Sequence, residues 1–449
     1  MREQPTQLMR ISGAVIGNAL EWYNFTVFAF MTPIISKVFF PVDPSRPATQ
    51  INALLATTAV FGVGFFMRPV GGVLLGMFGD KYGRRAGMVL GMTLMALATV
   101  IVTFAPTYRD IGIIAPLFIL VSRLLEGFSV GGEFGTSTAY LIEMAPPGKS
   151  GLYGSWQMTG QVASLVVGAG FGVFLTQCFT QAELAAGLWR IPFGFGLIII
   201  PGVWYIRRYL QEPQAFLTMK QGRSTTPAPS LGKDLAGHTR HLLVSIGMIA
   251  ASAVSFYAVY SYTVTYAKEV LHLPVKEAFL AELAATLLMV LVIPLGGMLC
   301  DRFSRLRKQM LVGFLGVYFI LMYPAYGWLV ANPSTTRLVI VQLAISAVSG
   351  LFLGVYCTTM SELFPVRIRS TSLSIANNVA VLVFGGFAQF ILTWIFKLTR
   401  SPIAPVYYVM TGIALGLAGA LFMPRRHGEA DIPRTAQSDL SPTASITAR

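Results

Sequence analysis

Apolar runs recur along most of the chain, separated by short polar clusters. Stretches such as IGIIAPLFILVS, PFGFGLIIIPGVW and SIGMIAASAVSFYAVYSY each extend to the ~20 apolar positions that a bilayer core demands. The pattern predicts twelve helices, near residues 10–37, 52–78, 86–106, 111–143, 152–177, 190–209, 241–267, 278–300, 308–330, 337–361, 369–396 and 403–424. The first run holds Glu21 and Asn24 and continues to MTPIIS without a small-residue cleavage site, so it reads as a retained helix and not a signal peptide. Residues 210–240 break the rhythm. This segment is polar and rich in Ser, Thr, Pro and Gly, and it reads as a cytoplasmic linker between two six-helix bundles, 1–209 and 241–424. The tail, 425–449, is polar without apolar periodicity and is expected to be disordered.

Composition agrees with a membrane protein. Only 12% of the 449 residues are charged and 54% are hydrophobic, with a mean hydropathy of +0.65, more apolar surface than a soluble core of this length hides. The net charge of +14 has a topological explanation. With both termini in the cytoplasm, 22 Lys and Arg residues fall on inward segments and 9 on outward ones, leaving Arg68 and Arg123 inside the membrane. The positive-inside rule favours that orientation. These cations are spread over short loops without recognition-helix or aromatic context, which argues against nucleic-acid binding. Cys178, Cys300 and Cys357 lie far apart with no metal-ligand spacing, so they read as packing residues and imply no disulfide. Neither a metal nor a cofactor is expected. Four scattered histidines supply no catalytic set, and no segment is long enough for a soluble output domain, so an enzyme or sensor is disfavoured.

The chain looks internally duplicated. GMFGDKYGRR at 76–85 recurs as GMLCDRFSRL at 297–306, which sets Gly76, Asp80 and Arg84 on Gly297, Asp301 and Arg305 at an offset of 221. YLIEMAPPGKSG likewise answers TMSELFPVRIRS, with Glu143 and Pro146 on Glu362 and Pro365 at an offset of 219. Offsets near half the length indicate a parallel repeat, an arrangement in which two bundles enclose a mid-membrane site.

GDKYGRR after the second helix, its degenerate copy after the eighth and RLLEG in the fourth resemble motifs of the major facilitator superfamily. More narrowly, LEWYNF, FFMRPVGG, RLLEGFSVGGEFG, WRIPFGFG, QEPQAF and ELFPVRIRSTSLS resemble the metabolite:proton symporters, and the likeness runs from about Gly13 to Met423. The resemblance implies an all-α membrane protein of twelve transmembrane helices in two pseudo-repeated bundles, acting as a monomer in the bacterial inner membrane. It also implies that Asp80 reaches the N-terminus of the eleventh helix near Arg369 and that Arg84 contacts Glu143, contacts that would lock the cytoplasmic ends together. Asp301 and Arg305 are the corresponding gating candidates, in a copy where Cys300 and Ser304 replace the usual small or glycine residues. The same charges could instead serve only topology.

Five ionisable residues lie at membrane depth in the first half: Glu21, Arg68, Arg123, Glu126 and Glu133. Each costs about 2.5 kcal/mol or more at a helix centre, so function is the default reading. Arg68 and Arg123 are candidate anion-binding residues, because guanidinium offers carboxylates a bidentate fork that lysine lacks. Helix packing, or a pair between Arg68 and Glu21 or Glu133, is the alternative. Glu21, Glu126 and Glu133 are candidates for proton coupling, since a carboxylate that alternates between buried and exposed settings changes its protonation. The related symporters usually have Asp at Asn24 and Gln at Glu126, so Glu21 or Glu126 is a candidate for the missing acid's role. In the second half, Tyr257 and Tyr260 share a helix face, and with Asn377 they are candidates for binding solute oxygens; interface packing is the other reading. Gln389 replaces the usual proline of the eleventh helix, which leaves its bend open.

The expected function is proton-coupled import of a small mono-, di- or tricarboxylate by alternating access, with the organic anion, the proton and the lipid bilayer as partners. A betaine- or proline-like zwitterion importer is the alternative, and a proton-antiport exporter, which keeps the same loop motifs, is a third reading.

Overall fold

A computed structural model describes residues 7–40, 47–180, 183–209 and 235–424. Most of the 210–240 segment, up to residue 234, and all of the 425–449 tail lie outside the described residues. The described chain is helical. We number the membrane-crossing elements α1 (Gln7–Phe39), α2 (Pro47–Tyr82), α3 (Arg84–Phe104), α4 (Ala115–Glu143) and α5 (Ser150–Cys178). Next come α6, built from Leu184–Leu188, Arg190–Gly196 and Ile199–Tyr209, and α7, built from Thr239–Val254, Ser255–Tyr260 and Thr263–Glu269. They are followed by α8 (Val275–Arg302), α9 (Arg307–Ala331), α10 (Thr335–Ser361), α11 (Arg369–Phe384 continued by Ala388–Thr399) and α12 (Ala404–Phe422).

Each predicted helix has an observed counterpart. Among the described residues, eleven helices are long and apolar enough to cross a membrane. The remaining one, α1, spans 33 residues and carries Asn18, Glu21 and Asn24 in its middle. Large apolar side chains such as Ile113, Leu291, Ile320 and Leu398 point outward, as expected where the surrounding solvent is hydrocarbon.

Interruptions within the helices have local causes. Gly83, at φ 120°, takes a conformation that L side chains rarely adopt and separates α2 from α3 in a single residue. In α7, Ser255–Tyr260 forms a wide π-type turn. In α11 the helix breaks at 385–387 without proline: the amides of Gly385 and Gly386 both donate to the Val381 carbonyl, and a methyl group on Gly385 would sit 2.6 Å from the Tyr257 ring.

Within the first half α4 packs on α2 and α3, and α1 on α5; within the second, α10 packs on α8 and α9, and α12 on α7. Contact between the first six helices and the last six runs through α2 and α4 against α11, and through α5 against α8 and α10.

Candidate functional site

The site is built on a backbone-to-backbone crossing. Gly127 and Gly131, four apart on α4, face Gly64 and Arg68, four apart on α2; methyl groups there would run into the carbonyls of Gly64 and Arg68. Small residues at this spacing let membrane helices approach closely. The approach seals the Arg68 backbone against α4 and sends its side chain toward the second half.

Arg68 is fully buried. Its Nη1 donates to the Tyr257 hydroxyl of α7 at 3.1 Å. The guanidinium lies over Phe65 at 4.3 Å, Phe25 at 4.5 Å and Trp22 at 5.5 Å from the ring centroids. Nε and Nη2 have no hydrogen-bond partner. No pair to Glu21 or Glu133 forms. Ring faces contribute about 0.5–2 kcal/mol each, whereas each unpaired buried donor costs about 1–3 kcal/mol, more when charged. The balance leaves a cation able to gain several kcal/mol from an anion with two oxygens.

Arg123 is different. It forms an ion pair with Glu126 one turn along α4, and its guanidinium lies 4.1 Å from the Phe28 centroid. The spacing that placed both on one face thus has them neutralise each other.

Glu133 accepts from Asn18 Nδ2 of α1 through both oxygens, at 2.9 and 2.8 Å. Glu21 Oε1 lies 2.5 Å from Ser129 Oγ, which also lies 2.7 Å from the Gly91 carbonyl oxygen. A hydroxyl has one proton and a carbonyl only accepts, so both contacts are fully made when Glu21 itself carries a proton. Asn24 Nδ2 donates back to the Leu20 carbonyl at 3.2 Å.

In the second half the structure separates residues expected together. Tyr257 reaches Arg68, but the Tyr260 hydroxyl lies 2.7 Å from Ser349 Oγ of α10, inside the second half. Residues three apart share a face only in a regular helix, and both lie in the wide turn. Asn377 is buried on α11, while the bridge to α4 is made by its neighbour: Asn378 Nδ2 donates to the Gly131 carbonyl at 2.6 Å. One acid was missed. Glu282 of α8 is fully buried, so the expectation that all membrane-depth charges belong to the first half does not hold. The predicted α8, 278–300, contains Glu282, which the sequence pattern does not single out; the observed helix begins a turn earlier and is covered there by α10 and the end of α7.

At the end of the bundle carrying the duplicated loops, the two halves are tied together. Asp80 pairs with Arg84, and it also accepts from the Thr371 hydroxyl and, at 3.2 Å, from the Thr371 amide in the first turn of α11. Glu143 lies 3.5 Å from Arg84 and 3.2 Å from Arg369, and Arg84 Nη2 donates to the Val366 carbonyl at 2.8 Å. In the second copy Asp301 accepts from the Gly151 and Leu152 amides at 2.6 and 2.8 Å, capping α5 as Asp80 caps α11. The arginine of this copy is not Arg305, which is exposed. Arg307 takes the place, pairing with Glu362 and lying 4.0 Å from Asp301. An extra 3₁₀ turn, Ser304–Leu306, stands where Gly83 alone turns the chain in the first copy. The first residue of the next helix is therefore Arg84 in one copy and Arg307 in the other.

Residues 11–237 match the sequence family described as "Sugar (and other) transporter". The citrate-proton symporter of Salmonella typhi is 34% identical over 407 residues, covering 91% of this chain and 92% of that one. The proline/betaine transporter of Escherichia coli K12 is 34% identical over 423 residues, covering 92% and 82%. Among solved structures, the proton:xylose symporter XylE bound to 6-bromo-6-deoxy-D-glucose superposes with a TM-score of 0.73 at 18% identity, covering 93% of this chain and 95% of that one, a likeness of fold.

Proposed function

The chain belongs to the sugar (and other) transporter family of the major facilitator superfamily, and from that premise we propose that it imports a small organic acid together with protons. It is a transporter of the inner membrane and not an enzyme. The observation that carries the reading is Arg68: buried, held between halves by Tyr257, and with two nitrogens lacking partners. A carboxylate entering between α2 and α7 gains the charge-assisted hydrogen bonds those nitrogens lack. The citrate-proton relatives favour a di- or tricarboxylate.

Protons enter through the first-half acids. Glu133, held by Asn18, and Glu21, beside Ser129, sit on facing surfaces of α4 and α1. Rocking of the halves 1–209 and 241–424, joined by the 210–240 linker, exposes them alternately to each side. Protonation of Glu126 releases Arg123 from its pair, which gives the anion site a second cation. The excess of basic residues on segments continuous with the Asp80 and Asp301 loops supports a cytoplasmic placement of that end and of both termini. The ties from Asp80, Arg84 and Glu143 to α11, and from Asp301 and Arg307 to α5 and Glu362, then close the cytoplasmic side. A monomer suffices for this cycle, with basic loops against lipid headgroups.

The zwitterion reading draws on the proline/betaine relative. It is second because the aromatic faces that would hold a quaternary ammonium, Trp22, Phe25 and Phe65, already face Arg68. The test is uptake into proteoliposomes of labelled citrate, 2-oxoglutarate, shikimate, an aromatic acid and betaine, with and without an inward proton gradient. Gradient-driven accumulation of an acid, lost in Arg68→Ala, is expected. Accumulation of betaine alone would transfer the assignment to the zwitterion, and gradient-driven loss of preloaded solute would make the chain an exporter.

A further inference from the structure

Glu282 has no place in the anion site or in the cytoplasmic ties. It lies about 10 Å along α8 from the helix start by helix rise. Neither of its oxygens has a hydrogen-bond partner, and the nearest polar group is the Thr263 hydroxyl of α7. That hydroxyl is engaged on both sides, donating to the Val259 carbonyl and accepting from Gln342 Nε2 of α10 at 2.5 Å. Gln342 Oε1 is itself buried and without a partner. Both Glu282 oxygens and Gln342 Oε1 are thus buried, with the already engaged Thr263 hydroxyl beside both residues.

The titratable groups that face Glu282 are Tyr260 of α7 and Tyr326 of α9, with Tyr266 edge-on to Tyr326 at 5.8 Å. From α10 come only Gln342, Ser346 and Ser349 in this layer, and from α5 the glycine surface at Gly172 meets Phe279 of α8. No Lys, Arg, His or second acid acts on Glu282 among the described residues. An ionised carboxylate in this setting has no counter-charge, and the one hydroxyl beside it, of Thr263, is shared with the Val259 carbonyl. A proton removes the charge and supplies the missing donor.

We propose that Glu282 is a second proton-carrying site, placed in the second half and linked to the anion site by the wide turn of α7. Tyr257, at the middle of that turn, holds Arg68, and Tyr260, at its end, faces Glu282. Retightening this turn into regular helix rotates both tyrosines at once, so solute release at Arg68 and exposure of Glu282 occur together. The proposal rests on the proton-coupled reading above and adds a carrier to it.

Two measurements on the full chain test it. The first is infrared titration of the purified protein, following the C=O stretch of protonated carboxylic acids from acid to alkaline pH. Part of the wild-type band is expected to be missing in Glu282→Gln and shifted in Glu282→Asp; a band of full amplitude in Glu282→Gln overturns the proposal. Loss of the band on adding sodium at fixed pH, in wild type but not in Glu282→Gln, overturns it as well, because the ligand is then a metal cation. The second is citrate accumulation in proteoliposomes under one imposed pH unit. Each coupled proton contributes a factor of about ten to the accumulation ratio under that gradient, so Glu282→Gln is expected to accumulate about tenfold less citrate while citrate counterflow persists. Equal accumulation overturns the proposal. If wild-type uptake ignores the gradient, the coupling reading fails separately, and the infrared titration still decides whether Glu282 carries a proton.

Discussion

The first half carries five ionisable side chains at membrane depth, and each has found a different environment: an intrahelical pair for Arg123 and Glu126, an amide for Glu133, a serine for Glu21, and aromatic rings with one tyrosine for Arg68. In the second half, tyrosines, serines and amides lie around Glu282, the single buried acid there among the described residues. The halves repeat a fold but not a charge pattern. The duplicated loops, in contrast, do repeat their electrostatics, since Asp80 and Asp301 cap helices of opposite halves. On the proposed reading, pseudo-symmetry is kept where the two halves are tied to each other and abandoned where one half binds the solute. A closing contact acts on either side of the axis, whereas an anion needs one site with net positive character.

Arg68→Ala is the substitution expected to break the asymmetry most. Two charge-assisted hydrogen bonds at about 1.5–3 kcal/mol each amount to a loss of at least about 100-fold in uptake kcat/KM. Arg68→Lys should recover little of it, because an ammonium cannot span two carboxylate oxygens; uptake of labelled citrate at several concentrations measures both. Next comes Glu133→Gln, expected to lower gradient-driven uptake about tenfold while counterflow continues, since the amide still meets Asn18 but has no titratable proton. Unchanged pH dependence of uptake would remove Glu133 from the coupling set. Asp80→Asn should reduce transport several-fold without lowering the amount of protein in the membrane, and it should exceed Asp301→Asn, because Asp80 also anchors the Arg84, Glu143 and Arg369 chain. Surface labelling alongside uptake separates the two readouts. The smallest contrast sharpens the repeat itself: Arg307→Ala is expected to slow transport, whereas Arg305→Ala, at an exposed turn, should match wild type within about twofold.

Much of this was legible along the chain. Helix number and the membrane class follow from hydropathy, and the reach of Asp80 to the start of α11 came from resemblance and appears as its contact with Thr371. The closeness of Arg84 to Glu143 came from resemblance and appears in the structure at 3.5 Å. Three site features were not legible. A constant offset of 221 carried Arg84 onto Arg305, because a string comparison does not see that the second loop is lengthened by a 3₁₀ turn. Tyr260 was placed beside Tyr257 by regular helical spacing, which the wide turn of α7 does not obey. Glu282 did not enter the set of membrane-depth charges, because hydropathy alone does not say which residues near a helix start are buried by neighbouring helices.

Sequence by itself determined that this chain crosses the membrane, how many times, and which residues are too costly to bury without purpose, because each of these depends on composition and spacing within one helix; the family of folds came from the resemblance of motifs along the whole chain. Tertiary structure decided which buried charges neutralise one another and which do not. Arg68 and Arg123 are alike as residues; one lies beside an acid on its own helix and the other points across a glycine crossing toward a tyrosine of the opposite half. That distinction arises from helix phase and from contacts between residues about 190 positions apart, and in a medium of low dielectric such contacts decide whether a charge is satisfied or available.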